Sequence, residues 1–345
     1  MIGRLLTALG RILLSLRYRI QVEGLEAIQQ KGGAGILLLP NHPALVDPVI
    51  LLSHLFRHFE PWTLADKDQI AVPGISWAAE RLRAMPLPDP AKYGEASRAE
   101  IQKVLQRGME ALKCGENLMI YPAGRLMRSR FEDLGGNSGV MSILDQVPRA
   151  RVVLVRTRGL WGSHFSRASG KAPKLGPALG KSVLTLLKNG LFFAPRRTVK
   201  IELVEPQDLP RGQGRAALNR YLEAFYNQDA PPNTYVPESH WEKGGVRACP
   251  EPVPGRMGGD PATVATATRE AVLKKLHQFS GMTDIGPEQY LARDLGLDSL
   301  SRLELQVWLE GEFAFVPPDP EALQTVGDVV LAASGSVLDV GSAPN

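Results

Sequence analysis

The sequence predicts an α/β fold, with a mixed sheet flanked by helices, followed by a small all-α unit. Short apolar runs bounded by glycine or proline, such as GILLLP at residues 35–40, alternate with longer segments of helical periodicity. Beyond about residue 262 the periodicity is that of amphipathic helices. With 345 residues the chain is long enough for about two domains.

The individual elements follow from local patterns. Apolar runs closed by turn residues indicate strands, whereas apolar residues recurring every three or four positions indicate helices. Strands are predicted at 35–40, 61–67, 117–121 and 150–159, and helices at 2–16, 47–59, 75–83, 95–115, 268–281, 300–313 and 321–333. The alternation of the two types up to residue 159 favours a sheet that is at least partly parallel.

Charge is unevenly distributed along the chain. Residues 1–240 contain 32 Lys and Arg against 21 Asp and Glu, whereas residues 241–345 contain 8 against 15. Residues 151–200 alone carry eleven Lys and Arg and no acidic residue. Such a surface suits an anionic lipid layer, a phosphate-bearing substrate or an acidic protein partner. Because no recognition motif accompanies the charge, a nucleic-acid partner is not expected.

The two cysteines are Cys114 and Cys249, and they lie far apart in the sequence. Their spacing is typical neither of a disulfide framework nor of a zinc site. The sequence therefore predicts a reducing compartment and no metal.

The N-terminal segment, residues 1–20, is amphipathic. Apolar residues recur at helical spacing, but four arginines interrupt them. Because a membrane span needs roughly 20 uninterrupted apolar residues, the segment does not predict a transmembrane helix. It also lacks the small-residue cleavage site of a signal peptide. The residues alone favour equally a helix lying on a membrane and a helix packing onto its own core.

The stretch LLLPNHPALVDP, residues 37–48, places a histidine and an aspartate after a predicted strand, where α/β sheets usually bind ligands. Within one helix, His42 and Asp47 would point roughly 140° apart, whereas a loop followed by a helix can bring them together. Asp47 would then orient the imidazole of His42, leaving its other nitrogen free as a base. The alternative is purely structural, because Asp followed by Pro is typical of a helix N-cap.

The same stretch resembles the HxxxxD signature of the glycerolipid acyltransferases, which include lysophosphatidic acid acyltransferases. The group also includes the acyltransferase half of the bacterial acylglycerophosphoethanolamine acyltransferase/acyl-carrier-protein synthetase. YPAGR at 121–125 resembles the family's third block, AMPLPDP at 84–90 its second, and residues 152–167 its fourth. The resemblance spans roughly residues 10–225 and implies a general base at His42 with Asp47 as its orienting partner.

The resemblance also implies that the loop after residue 120 anchors the phosphate of the acceptor. The implied substrate-binding residues are Tyr121, Pro122, Gly124, Arg125 and Arg128. Chemistry supports this role independently because guanidinium groups bind phosphate bidentately, although a solvated basic loop would show the same pattern. Ala123 departs from the family, which usually has glutamate there, and no arginine follows the second block, where Lys92 is the nearest cation.

A second motif lies in residues 291–315, LARDLGLDSLSRLELQVWLEGEFAF. It resembles the prosthetic-group segment of acyl carrier proteins, and the resemblance covers about residues 265–333. It implies that Ser299 carries 4'-phosphopantetheine, attached by a phosphopantetheinyl transferase, with Asp298 beside it. An ordinary helix N-cap at Ser299 is the structural alternative.

The helix after Ser299 has two kinds of side chain. Acidic residues suited to basic partners are Asp298, Glu304, Glu310 and Glu312, and residues at core spacing are Leu300, Leu303, Val307 and Trp308.

Together the two resemblances imply an O-acyltransferase. A fatty acyl group would pass from a carrier thioester, in cis or in trans, to the hydroxyl of a lysophospholipid-like acceptor. The alternatives are a non-catalytic acyl-carrier and lipid-binding module, motivated by Ala123, and an acyltransferase for a hydroxyl acceptor without phosphate. No adenylate-forming domain is visible, so an acyl-carrier-protein synthetase or fatty-acid synthesis enzymes are expected as partners that load the carrier.

The predicted organisation has five parts. Residues 231–262 are dense in proline, glycine and charge, which is typical of a linker. The parts are a membrane-associating helix at 1–20, an acyltransferase domain at 21–230, the linker at 231–262, an acyl carrier domain of four helices at 263–335 and a flexible tail at 336–345. The expected location is cytoplasmic, peripheral on the inner face of the cell membrane and in contact with its lipids.

Overall fold

The computed structural model describes residues 2–72, 74–88, 96–252, 256–257, 259–314, 323–335 and 338–339, without the side chains of residues 96, 98, 256–257, 299–300 and 338–339. The chain forms two compact units. The first contains Met1–Pro88, Ala99–Asp133 and Gly139–Pro252, and the second contains Asp89–Arg98, Leu134–Ser138 and Val253–Asn345.

A seven-stranded sheet organises the first unit. Its strands are β1 (Tyr18–Glu23), β2 (Ile36–Pro40), β3 (Trp62–Asp66), β4 (Ala84–Leu87), β5 (Leu118–Met119), β6 (Arg151–Arg158) and β7 (Arg197–Val204). The spatial order is β1-β7-β6-β2-β5-β3-β4, and every neighbouring pair is parallel except β6 and β7. The predicted α/β class with a mixed sheet is therefore confirmed.

Nine described helices accompany this sheet. They are α1 (Ile2–Ser15), α2 (Leu25–Gln30), α3 (Asp47–Phe59), α4 (Lys67–Ile70), α5 (Ile75–Arg81), α6 (Ala96–Lys113), α7 (Gly139–Gln146), α8 (Leu175–Lys188) and α9 (Arg215–Asn227). The central strand β2 is apolar at every position because helices cover both faces of a largely parallel sheet. Its residues Ile36 to Leu39 are completely buried, which fixes where the loop after β2 leaves the sheet.

Helix α1 turns its small residues inward and its large apolar residues outward. Gly3 and Thr7 are its buried residues, and a Cβ atom on Gly3 would lie 2.7 Å from the carbonyl oxygen of Arg81. Five large apolar side chains of the helix are exposed, namely Ile2, Leu5, Leu9, Ile12 and Leu13, whereas Leu14 is half-buried and packs against the core. The core-packing alternative is therefore wrong for those five side chains, although the helix packs onto the core through its other face. No helix in the described part of the chain is long and apolar enough to cross a membrane.

A second exposed apolar surface extends along α8 and the turn that follows it. Its large side chains are Leu179, Val183, Leu184, Leu187, Leu191, Phe192 and Phe193. Phe193 is 74% exposed, although it belongs to a stretch whose apolar content would equally suit a core. These side chains therefore do not pack into the core.

The segment after residue 230 packs into the first unit as far as Pro252. Asn233 and Val236 are buried, and the Asn233 side chain donates to the carbonyl oxygen of Pro250 at 2.7 Å. Two short strands in this segment, β8 (Thr234–Tyr235) and β9 (Arg247–Ala248), pair antiparallel. A free linker beginning at residue 231 is therefore incorrect for this part, because polar side chains satisfy the buried backbone groups of the segment.

The second unit is helical. Its helices are α10 (Thr266–Ser280), α11 (Ser299–Phe313) and α12 (Val326–Ala333), preceded by the 3-10 helix Pro261–Thr263. Three α-helices are thus described where four were predicted, and residues 315–322 lie outside the described part. Strands β10 (Arg256–Met257) and β11 (Leu338–Asp339) pair antiparallel. Leu338 and Asp339 belong to the predicted flexible tail, so the prediction is wrong for these two residues. The rest of residues 336–345 lies outside the described part.

The core of the second unit corrects one detail of the sequence analysis. Leu305 and Leu309, four residues apart on α11, are its buried residues, together with Leu276 and Val329 from the other helices. Val307, predicted at core spacing, is 62% exposed because it lies on the opposite side of α11 from those leucines. Leu303 and Trp308 are half-buried.

Candidate active site

The loop after β2 is held by the side chain of Asn41, which hydrogen-bonds to β6 as the backbone of a strand would. Asn41 donates from its amide nitrogen to the carbonyl oxygen of Thr157 at 3.1 Å and accepts from the Thr157 N–H at 2.7 Å. Its backbone N–H donates to the carbonyl oxygen of Val155. These bonds continue the β2–β6 pairing one residue beyond Pro40. The next residue, His42, therefore leaves the sheet from a fixed point.

Helix α3 begins at Asp47, but the Asp47 side chain does not cap it. The N-cap position belongs to Val46, and no side chain makes a capping hydrogen bond there. The Asp47 carboxyl is instead completely buried and accepts a hydrogen bond from the hydroxyl of Tyr121 at 2.9 Å. The capping alternative for the Asp-Pro pair is therefore wrong. Because the Asp47 carboxyl makes no capping hydrogen bond to α3, it is available to Tyr121 and lies next to His42.

His42 and Asp47 are brought together as the loop-then-helix geometry allows. Nδ1 of His42 lies 3.9 Å from Oδ2 of Asp47, which is too long for a hydrogen bond. The ring of Tyr121 stacks on the imidazole with 4.1 Å between ring centroids and a tilt of 32°. Tyr121, predicted to bind substrate, thus contacts both members of the pair.

Burial sets the protonation of this pair. It lowers the pKa of His42 to about 3, so the imidazole is neutral near pH 7. It raises the pKa of Asp47 to about 7, an effect that the hydroxyls of Thr157 and Tyr121 oppose. Among the described residues, neither Nδ1 of His42 nor Oδ1 of Asp47 has a hydrogen-bond partner. The site therefore presents a neutral base with an adjacent carboxyl poised between its two protonation states.

The predicted phosphate loop forms a tight turn after β5. The N–H of Gly124 donates to the carbonyl oxygen of Tyr121 at 3.0 Å, and Gly124 has a φ of 61°. Pro122 and Ala123 are buried in this turn. Arg125 donates to the carboxylate of Asp133 at 2.9 Å, and the side chain of Arg125 is 25% exposed.

Arg128, the other arginine predicted to bind substrate, is half-buried. The turn thus places an accessible guanidinium in the same loop as Tyr121.

Two residues at the site escaped the sequence analysis. Glu132 is buried, and its carboxylate accepts a hydrogen bond from the backbone N–H of His42 at 2.8 Å. Thr157 is also buried and opposes the rise in the pKa of Asp47. The sequence signal for Glu132 was an acidic residue inside a basic loop. No local pattern marks Thr157, because β6 brings it to the site across the sheet.

The carrier motif lies at the start of α11. Asp298 is the N-cap residue, and its carboxylate accepts from the backbone N–H and the hydroxyl of Ser301, each at 2.9 Å. Ser299 is the first helical residue, and its side chain lies outside the described part. The N-cap alternative for Ser299 is therefore wrong, because Asp298 occupies that position.

The two predicted sites lie in different units. Among the described residues, no group of three or more His, Cys, Asp or Glu side chains could hold a metal ion.

The arrangement around His42 suits proton removal from a hydroxyl. Nδ1 faces Asp47, which leaves Nε2 as the nitrogen able to act on a bound substrate. A neutral imidazole can accept the proton, and the nearby carboxylate stabilises the imidazolium that results. No protein nucleophile is needed for such chemistry if the substrate hydroxyl itself attacks.

Comparison with known protein families gives the reaction class. Residues 19–156 match the model of the family described as Acyltransferase. This segment extends from β1 into β6 and contains His42, Asp47 and Arg125. The protein is therefore an enzyme of the acyltransferase class.

Among solved structures, the chain is similar to the 1-acyl-sn-glycerophosphate acyltransferase PlsC from Thermotoga maritima. The identity is 18% and the TM-score 0.45, over 66% of this chain and 78% of that one.

Replacing Asp47 with Asn should make the protein relatively more stable as the pH rises. The raised pKa of Asp47 means that the folded state binds a proton more tightly than the unfolded chain, so the wild type loses stability from about pH 4 to about pH 7. Asn carries no such proton. The difference in unfolding free energy should grow by up to about 4 kcal/mol across that interval, measured by urea unfolding at each pH.

The exposed Asp145 provides the control, because its carboxyl is in water in both states. The effect of Asp145→Asn at each pH is the reference against which the effect of Asp47→Asn is compared. A difference for Asp47→Asn that stays flat between pH 4 and pH 8 would show that the carboxyl is ionised without cost in the folded protein.

Proposed function

We propose that this acyltransferase moves a fatty acyl group from a carrier thioester to the hydroxyl of a lysophospholipid-like acceptor, with His42 as general base. The observation that carries the proposal is the neutral imidazole of His42, 16% exposed and beside the buried Asp47 carboxyl, one strand away from a loop containing an accessible arginine. The family match of residues 19–156 supports the reaction class.

In the proposed reaction, the acceptor oxygen attacks the thioester carbonyl while Nε2 of His42 takes the hydroxyl proton. The C–O bond forms, the C–S bond breaks, and the leaving thiolate takes the proton back from the imidazolium. Asp47 stabilises the transient positive charge. Tyr121 holds Oδ2 of Asp47 by its hydroxyl and keeps the imidazole plane by ring stacking.

Arg125 is the proposed anchor for the acceptor phosphate. Its guanidinium offers several N–H donors, and one of its terminal nitrogens is bonded to Asp133. A phosphate would bind the remaining donors or replace Asp133. The basic excess of residues 1–240, with 32 cations against 21 acids, would attract anionic substrates from a distance.

The proposed donor arm is 4'-phosphopantetheine on Ser299, attached by a phosphopantetheinyl transferase and loaded by acyl-carrier-protein synthetase or fatty-acid synthesis enzymes. This proposal is supported by the N-cap position, which is occupied by Asp298, so Ser299 is not the capping residue of the helix. Glu310 and Glu312 on the same helix are exposed and supply acidic charge for basic partners. A tethered carrier would reach an effective concentration of about millimolar at the acyltransferase domain.

We further propose that the enzyme works on the inner face of the cell membrane as a peripheral protein. The large apolar side chains of α1 and of residues 179–193 are exposed to solvent, which is costly unless something covers them. Lys188 and Arg196 are exposed beside the second surface and favour an anionic lipid layer as the cover. Leu5 is 70% exposed and Phe192 is 66% exposed, so both are available to enter the lipid.

Three observations favour rival functions. Ala123 offers no hydrogen-bonding side chain in the phosphate loop, and the 3.9 Å separation of His42 and Asp47 is not a formed hydrogen bond. Both favour a non-catalytic acyl-carrier and lipid-binding module. The bond between Arg125 and Asp133 occupies part of the guanidinium and favours a hydroxyl acceptor without phosphate.

Replacing His42 with Ala should lower the rate of acyl transfer by about 100-fold to 10,000-fold, because the variant lacks the group that takes the proton of the acceptor hydroxyl. The assay follows transfer from palmitoyl-acyl carrier protein to a 1-acyl-glycerol 3-phosphate. His58→Ala is the matched control, because His58 lies at the end of α3 and bonds to Gln29 and Arg57 instead of the site. Transfer that survives in the His42 variant would remove the proposed base.

The same assay separates the rival functions. Lipid binding by the wild type without His42-dependent product identifies the non-catalytic module. A monoacylglycerol that is acylated as efficiently as the phosphate-bearing acceptor identifies an enzyme that does not require phosphate.

Protein purified from its native host should carry one phosphopantetheine group on Ser299, seen by intact mass and peptide mapping. Ser299→Ala should abolish the mass increase because the hydroxyl is the attachment point. Ser301→Ala is the control, since Ser301 lies on the same helix turn but bonds to Asp298. An unmodified Ser299 in the native host would exclude the carrier role.

The double variant Phe192→Ser, Phe193→Ser should bind vesicles of phosphatidylglycerol and phosphatidylethanolamine with an affinity at least about 10-fold lower than that of the wild type. The reason is that it removes two exposed aromatic side chains from the lipid contact. Co-sedimentation measures the affinity. The control is Trp241→Ser, which removes a 93% exposed aromatic elsewhere in the first unit. Equal loss in both variants, or no loss in either, would contradict a lipid surface at residues 192–193.

A further inference from the structure

Glu132 is a buried carboxylate that the proposed mechanism does not use. It lies at the end of the loop that carries Tyr121 and Arg125 and is 4% exposed. Its Oε2 atom accepts the backbone N–H of His42 at 2.8 Å. Burying a carboxyl group costs free energy unless hydrogen bonds offset the loss of water, so the place of Glu132 next to His42 requires an explanation.

The same loop also holds the other backbone group of His42. The N–H of Met127 donates to the carbonyl oxygen of His42 at 2.9 Å. Glu132 and Met127 therefore fix both peptide groups that flank the His42 Cα atom. Because the imidazole direction follows from the backbone at that atom, the loop at residues 121–133 sets where the base points.

Glu132 is in turn held by α9. The Asn227 side chain accepts from the Glu132 N–H at 2.6 Å and donates to the Glu132 carbonyl oxygen at 2.9 Å. Both backbone groups of Glu132 are thus bonded to one amide side chain. The carboxylate has little freedom to move relative to the His42 N–H.

Charges from several elements meet at this carboxyl. Burial raises the pKa of Glu132 to about 8, while the His42 N–H and the Arg125 guanidinium oppose the rise. Asp133 and Asp47 raise the pKa further, and Glu132 itself raises the pKa of Tyr226 on α9. The Glu132 carboxyl therefore interacts electrostatically both with the His42–Asp47 pair and with Arg125 in the loop at residues 121–133.

We propose that Glu132 is a positioning residue for acyl transfer, holding the backbone of His42 so that the base is aligned with an acceptor anchored in the Arg125 loop. The proposal rests on the proposed function of His42 as the base. Glu132 does not touch the reacting atoms in this account. It links the loop that binds the acceptor to the loop that removes its proton.

Two substitutions separate positioning from simple stability. Glu132→Gln keeps an oxygen that can accept the His42 N–H, whereas Glu132→Ala leaves that buried donor without an acceptor. The Ala variant should lose about 100-fold in kcat with acceptor KM changed by less than about 2-fold, and the Gln variant should retain kcat within about 3-fold. The assay uses the full chain with palmitoyl-acyl carrier protein and a 1-acyl-glycerol 3-phosphate.

The matched control is Glu205→Ala. Glu205 pairs with Arg151 at the opposite end of β6 from Thr157, so its loss affects the fold without reaching His42. Thermal unfolding compares the stability of all variants. Equal losses of kcat in Glu132→Ala and Glu205→Ala, an unchanged kcat in Glu132→Ala, or equal losses in the Gln and Ala variants would each overturn the proposal.

Hydrogen exchange provides a readout that does not depend on turnover. The peptide containing the His42 amide should exchange at least about 10-fold faster in Glu132→Ala than in Glu132→Gln, with the remaining peptides unchanged. If His42→Ala retains activity, the proposed function fails while the exchange result still tests the bond. If His42→Ala is inactive but Glu132→Ala is fully active, the positioning role fails by itself.

Discussion

The carboxyl of Asp47 is buried at the start of α3 without capping that helix, and the chemistry of the site depends on this constraint. A capping role would have turned the side chain back onto its own helix. Val46 takes the N-cap position instead, and the Asp47 carboxylate accepts from Tyr121. Its complete burial raises its own pKa, and the same burial keeps His42 neutral. Withdrawal from water therefore keeps the imidazole neutral and lets the neighbouring carboxyl hold or release a proton near pH 7.

The fixed geometry of the pair comes from two directions. From the sheet, Asn41 extends the β2–β6 pairing by bonding both backbone groups of Thr157 with its side chain. From the phosphate loop, Glu132 and Met127 bond the two backbone groups of His42. The loop lacks a carboxylate at Ala123, but it delivers one nine residues later at Glu132. The base and the predicted anchor for the acceptor are therefore parts of one hydrogen-bonded assembly.

In the first unit, helix α1 packs through small residues and exposes most of its large apolar side chains. Packing against the body uses Gly3 and Thr7, because a larger side chain at Gly3 would meet the backbone of Arg81. Three leucines of the helix, Leu5, Leu9 and Leu13, remain exposed. An amphipathic pattern in the sequence has the same appearance whether its apolar side faces a core or a lipid. Only the packing of the small residues decides which side faces inward.

The sequence by itself determined the α/β class, four strands of the seven-stranded sheet, the helix at Asp47–Phe59 and the pairing of His42 with Asp47. These follow from local periodicity and from short separations that a loop and a helix can close. Tertiary structure alone decided the positions of Thr157 and Glu132, which reach the site from a distant strand and from the end of a basic loop. It also decided that Val307 faces solvent and that residues 231–252 pack in the first unit. Such outcomes depend on which surfaces meet, and side-chain spacing along one segment does not contain that information.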